Sequence, residues 1–135
     1  MSVIERVVQT WRYLAVPRGD ERHAERTADI LRREGADADL VLAGLLHDRA
    51  KPAATRLWHR IAAVLLDGCA PTLRCRYASG SGTFASYLDH ARRGAELAQA
   101  EGRSERVVRL IARHHDRPTN EDERRLARAD REAMP

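Results

Sequence analysis

Four of the six histidines in this chain of 135 residues fall into two equally spaced pairs. His23 and His47 bracket HAERTADILRREGADADLVLAGLLH, and His90 and His114 bracket HARRGAELAQAEGRSERVVRLIARH. The two segments align without a gap, with histidine at both ends and Gly35 and Gly102 at the same position. Asp37 and Ser104, both good helix N-caps, also coincide. A helix, a glycine stop and a second helix are therefore used twice, and such a hairpin returns its two ends to one another. Asp48 follows His47 directly, after the apolar run LVLAGLL, and Asp130 shares a helical face with Leu126 and Ala133. A carboxylate placed among apolar neighbours is costly unless a cation or several donors compensate it. His23, His47, Asp48, His90, His114 and Asp130 form a mixed nitrogen and oxygen donor set. Such a set suits iron, manganese, cobalt, nickel or zinc and is too nitrogen-rich for calcium or a pure magnesium site. Neighbouring helical side chains point about 100° apart, so His47 and Asp48 can serve one ion only near a helix end, or divide between two. Asp48, with two oxygens, can bridge. The competing reading makes His23 and His90 hydrogen-bonded core residues, His47 a helix cap and Asp48 an arginine partner.

Around this set stand residues suited to anions. Lys and Arg together number 24, yet Lys51 is the only lysine. Arg56, His59 and Arg60 lie one to two turns into the next helix, where arginine offers bidentate donors to phosphate. The alternative for all three is a solvated helix face. His115 is expected to touch substrate, to assist the second metal or to be exposed. Arg74 and Arg76 border a segment, 67–83, read as a lid or an ordinary surface loop. Asp116 and Asp122, around Pro118, read as solvated caps. Cys69 and Cys75 match neither a thiolate zinc site nor a disulfide framework and read as buried or half-buried.

The elements that must position these residues are helical throughout. Apolar periodicity and stop signals predict helices at about 2–15, ending before Pro17, then 20–34, LVLAGLL, 53–66, 84–101, 105–115 and 121–133. The fold class is all-α: a compact single-domain bundle of six to seven helices over 1–135, its ligand-bearing core at about 20–132. LVLAGLL, apolar on every side, belongs at the centre. In 53–66 the expected inner face is Leu57, Ile61, Val64 and Leu65. Val3, Val7, Trp11 and Leu14 form a stripe that serves either core or an interface between copies, with core expected. No apolar run approaches 18 residues, and Glu5, Arg6 and Arg12 interrupt the opening stretch, so the expectation is a soluble cytoplasmic protein without membrane partners. The net charge of +4 is spread over interspersed charges, and aromatics are only 4%, which argues against nucleic acid. A phosphorylated small molecule suits that balance better.

These residues resemble the HD-domain metal-dependent phosphohydrolase superfamily. Its His, His-Asp pair and distant Asp look like His23, His47-Asp48 and Asp130, and AGLLHDRAKP resembles its AxLLHDxGKP segment. His90 and His114 resemble the extra histidines of its binuclear branch. The resemblance implies that His23, His47, Asp48 and Asp130 hold one metal, with Asp48 bridging to a second held by His90 and His114. It also implies that Lys51 lies near metals and substrate phosphate. Ala50 replaces the usual glycine of HDxGK, and HHDRPTN carries no glycine-tyrosine-proline motif, unlike one cyclic-dinucleotide subgroup. The implied activity is hydrolysis of a phosphate ester or anhydride of a nucleotide by metal-activated hydroxide. Asp48 and Lys51 are the catalytic residues, and Lys51, Arg56, His59, Arg60 and His115 the substrate-binding ones. The cofactor is one or two divalent or mixed-valence first-row ions. Two other readings stay open: an iron-dependent oxygenase of the same superfamily, and a non-catalytic nucleotide-binding regulatory module.

Overall fold

Side-chain caps fix where several helices begin. The structure, a computed structural model, describes residues 2–14 and 19–134, with backbone alone for Tyr13 and Leu14. The described residues contain nine helices: α1 (Val3–Leu14), α2 (Gly19–Arg33), α3 (Ala38–Leu46), α4 (Leu57–Cys69), α5 (Pro71–Ala78), α6 (Thr83–Leu88), α7 (His90–Ala100), α8 (Glu105–Arg113) and α9 (Glu121–Glu132). Asp37 accepts the Leu40 amide at 3.1 Å and Ser104 the Val107 amide at 3.2 Å, so the repeated cap positions perform the same task. Asn120 does likewise for α9, accepting the Glu123 amide at 2.9 Å. The repeated glycines also match: Gly35 and Gly102 take φ of 71° and 73°, the left-handed conformation that ends α2 and α7.

The chain forms two compact units. One takes the described residues up to Gly19 together with Lys51–His90, and the other takes Asp20–Ala50 and Ala91–Met134. In the second unit α3 packs on α8 and α9, and α8 packs on α9. Leu31, Leu40, Ala43, Leu110, Leu126 and Ala129 make one core cluster, and Leu46, Ala95, Ala98, Val107 and Ile111 another. A Cβ at Gly44 would stand 2.8 Å from Leu31 Cδ1 and 3.4 Å from Thr27 Cγ2, so glycine lets α3 approach α2 closely just before His47. Arg106 reaches Asp37 at 2.8 Å and Asp122 at 2.9 Å, tying α8 to the start of α3 and the first turn of α9. In the first unit α1 packs on α4, with Val3 against Gly68 and Arg6 paired to Asp67 at 2.9 Å, while α5 contacts both α4 and α6.

Several boundaries differ from the sequence expectation. The count is nine helices rather than six to seven, because 67–83 contains α5 and 84–101 divides at Asp89. Pro71 occupies the first turn of α5, where its missing N–H costs nothing, so proline and the flanking glycines delimit a helix instead of preventing one. Arg74 and Arg76 therefore lie on a helix, not beside a loop. The helix predicted at 53–66 starts at Leu57, because Thr55 turns back onto the Pro52 carbonyl at 3.0 Å. Its buried residues are His59 and Arg60; Leu57, Ile61 and Val64 are half-buried and Leu65 is exposed. On α1, Val3 and Val7 are half-buried against α4, but Trp11 is 62% exposed, so the stripe is not wholly core. The Leu14 side chain and Pro17 lie outside the described residues. Leu45 is exposed on α3, and Cys69 and Cys75 are both exposed rather than buried. Among the described residues no helix is long and apolar enough to cross a membrane.

Candidate metal centre

Helix ends, more than helix middles, carry this centre. His23 lies on the buried face of α2 with Thr27, Ala28 and Leu31, and the Thr27 hydroxyl donates to the His23 carbonyl at 2.9 Å. His47 is the C-cap residue of α3 and Asp48 the next, in the following turn, which is the placement that lets adjacent residues face one site. Leu126, Ala129 and Ala133 bury the inner face of α9, and Asp130 projects beside them. His23, His47, Asp48 and Asp130 each offer one ligand atom, and these atoms lie within 4.8 Å of one another.

The proton inventory of this cluster fits a metal. His47 Nδ1 stands 2.7 Å from the Gly44 carbonyl, which can only accept, so Nδ1 carries the hydrogen. Its Nε2 faces Asp130 Oδ1 at 3.0 Å and Asp48 Oδ2 at 3.5 Å. His23 Nε2 lies 2.6 Å from the same Asp130 oxygen. An imidazole lone pair opposite a carboxylate oxygen is repulsive unless a proton or a metal cation is shared between them. Burial raises the Asp130 pKa, but hydrogen bonds from His23 and then His47, with the His47 charge, prevail and hold it well below the ordinary range. With the carboxylate kept ionised, nitrogen and oxygen donors converge on one spot, as a first-row ion requires.

The second half of the repeat supplies the same device. His114 is the C-cap residue of α8, and its Nδ1 donates to the Ile111 carbonyl at 2.6 Å. Its Nε2 is thereby turned toward Asp48 Oδ1, 3.5 Å away, while Asp48 Oδ2 faces His47. Asp48 thus stands between the two hairpin ends with one oxygen for each, and the His47 and His114 rings lie 5.0 Å apart. Exposed His115 places its ring 4.0 Å from that of His114 and offers a nitrogen to the same neighbourhood as Asp48 and His114. His90 closes the first unit, where its Nδ1 donates to the Tyr87 carbonyl at 2.6 Å. Three histidines therefore share one orienting bond to the carbonyl three residues back, which fixes the tautomer.

The remaining predicted residues belong to the first unit. Lys51 Nζ lies 6.0 Å from the Tyr87 ring centroid, and the Arg60 guanidinium 5.8 Å from it. Arg60 and His59 are buried, so the solvated-face reading does not hold for them, whereas Arg56 is exposed. His59 Nδ1 accepts the Arg56 amide at 2.7 Å, and burial, then the Arg56 charge, lowers its pKa. Asp116 pairs with Arg113, and Asp122 pairs with Arg106 in the first turn of α9, while Asn120 is the cap. Sequence reasoning passed over Tyr87; the signal was its position three residues before His90, the offset of Gly44 from His47.

The family described as HD domain matches the chain over residues 21–134. No curated protein and no solved structure matches it.

Proposed function

The chain belongs to the HD-domain family, and from that premise we propose a metal-dependent phosphohydrolase that cleaves a phosphate ester or anhydride of a nucleotide. The observation that carries this reading is the convergence of His23, His47, Asp48 and Asp130 within 4.8 Å. In the proposal these four hold one first-row ion, and Asp48 is shared with a second ion held by His114 and, by its place in the repeat, His90. When bound, such ions supply hydroxide near neutral pH and offset charge on the phosphoryl oxygens.

The chain's own residues do the rest. The Gly44 and Ile111 carbonyls hold the Nδ1 protons of His47 and His114, so Nε2 is the nitrogen that each can offer as a ligand. Although burial raises the Asp130 pKa, its bonds to His23 and His47 hold it below the ordinary range, so Asp130 would serve as an anionic ligand at neutral pH. Lys51 and Arg60 are assigned to substrate phosphate, with Arg56 and His115 as outer contacts and His59 as a packing residue that positions Arg60. The test is phosphate release from a panel of nucleotides by metal-loaded protein, run with and without oxygen. Metal-dependent release under both conditions is expected. Oxygen consumption without phosphate release would establish the oxygenase reading instead, and tight nucleotide binding without either would establish the regulatory one.

A further inference from the structure

In the first unit, α4 and α6 meet along a seam with two kinds of chemistry. Phe84 and Tyr87, three residues apart on α6, share a face. Toward Phe84 come three rings: Trp58 at 5.6 Å, His59 at 6.0 Å and nearly parallel, and Tyr77 of α5 at 5.8 Å. Toward Tyr87 come the two cations, Arg60 and Lys51. His59 and Arg60 are consecutive on α4, so the ring cluster adjoins Arg60, while Lys51 comes to Tyr87 from the segment before α4.

Packing accounts for only part of this cluster. His59 is buried and Phe84 half-buried, but Trp58 is 56% and Tyr77 50% exposed, although large rings gain most when covered. A ligand that uses both halves needs a planar aromatic group joined to an anion. An apolar peptide would meet the rings alone, and bare phosphate the cations alone. The geometry points to a nucleobase stacked on Trp58, with Tyr77 beside it and its phosphate directed to Lys51. This inference rests on the phosphohydrolase reading for the anion, and on the rings alone for the base.

The test uses Trp11→Phe full-length protein, in which Trp58 is the sole tryptophan. Adenosine monophosphate and adenosine should quench its fluorescence, adenosine binding more weakly, while ribose 5-phosphate should not quench. Trp58→Ala should weaken adenosine monophosphate binding in calorimetry about tenfold or more, a stacked base on an aromatic ring being worth that much, and Trp58→Phe should restore most of it. Lys51→Ala should bring the affinity for adenosine monophosphate down toward that for adenosine. An unchanged affinity in Trp58→Ala overturns the inference. So does Trp58 emission that follows protein concentration and ignores nucleotide, since a second copy would then cover the ring. Phosphate release from adenosine monophosphate with Trp58 emission unchanged overturns the stacking site but leaves the hydrolase. Quenching without phosphate release keeps the stacking site and removes the hydrolase.

Discussion

A histidine that gives its Nδ1 proton to a carbonyl three residues back has only Nε2 left for whatever stands in front of it. His47 and His114 both do this, and Asp48 offers one oxygen toward each. Asp48→Ala should therefore reduce bound metal and abolish turnover; normal activity in that variant would remove Asp48 from the bridging position. His90 uses the same bond to Tyr87, so His90→Ala should mainly lose the second ion and leave the circular dichroism spectrum unchanged. Unchanged metal stoichiometry in that variant would make His90 a core residue only. These candidate ligands stood out in the sequence because matched histidines at both ends of two matched hairpins are a stronger signal than any single histidine. The orienting carbonyls were not legible, since backbone groups leave no trace in residue type.

At the scale of the helices, the caps and glycine stops that place these histidines are testable one at a time. Gly102→Ala should cost about 1–2 kcal/mol in denaturant unfolding, the penalty of a left-handed conformation with a Cβ. A residue absent from the sequence reading, Glu123, holds α9 at its start. It accepts from the Thr119 amide at 2.7 Å and hydroxyl at 2.9 Å and from Arg113 at 3.1 Å, and it is buried. The Thr119 amide bond lowers its pKa most among the favourable contacts, burial opposes it, and the Thr119 hydroxyl and Arg113 add to the lowering. A depressed carboxyl pKa stabilises the fold above the unfolded value, about 4.3, and that stability is lost as pH falls through the folded value. Glu123→Gln should thus destabilise at pH 7 by about 1–3 kcal/mol, as the Thr119 and Arg113 donors lose a charged acceptor, and the difference should shrink below about pH 4. A pH-independent difference would mean that shape, not charge, matters at this position. Glu123 was hidden in a run of acidic and basic residues that reads as solvated. The position of α5 was hidden for the opposite reason: glycine, proline and serine at its edges outweighed the helical run between them.

For the whole molecule, metal and folding should be linked. All four residues of the candidate centre belong to the second unit, on α2, the end of α3 and α9, so a bound ion cross-links segments far apart in sequence. Manganese or iron at a hundredfold over its dissociation constant should stabilise the fold by about 2.7 kcal/mol, EDTA should reverse this, and Asp48→Ala should not respond. A melting temperature indifferent to metal would separate the cluster from metal binding. The all-helical class was legible from periodicity, and the hairpin repeat anticipated the caps and stops of the second unit. The first unit was less legible, because Trp11, Trp58, Leu65 and Tyr77 break the rule that apolar residues point inward. The most direct test of the centre is metal content per chain, by plasma mass spectrometry on protein purified without chelator or nickel affinity. About two equivalents of a first-row metal in the wild type is the expected result. No bound metal, even after reconstitution with manganese or iron, would contradict it.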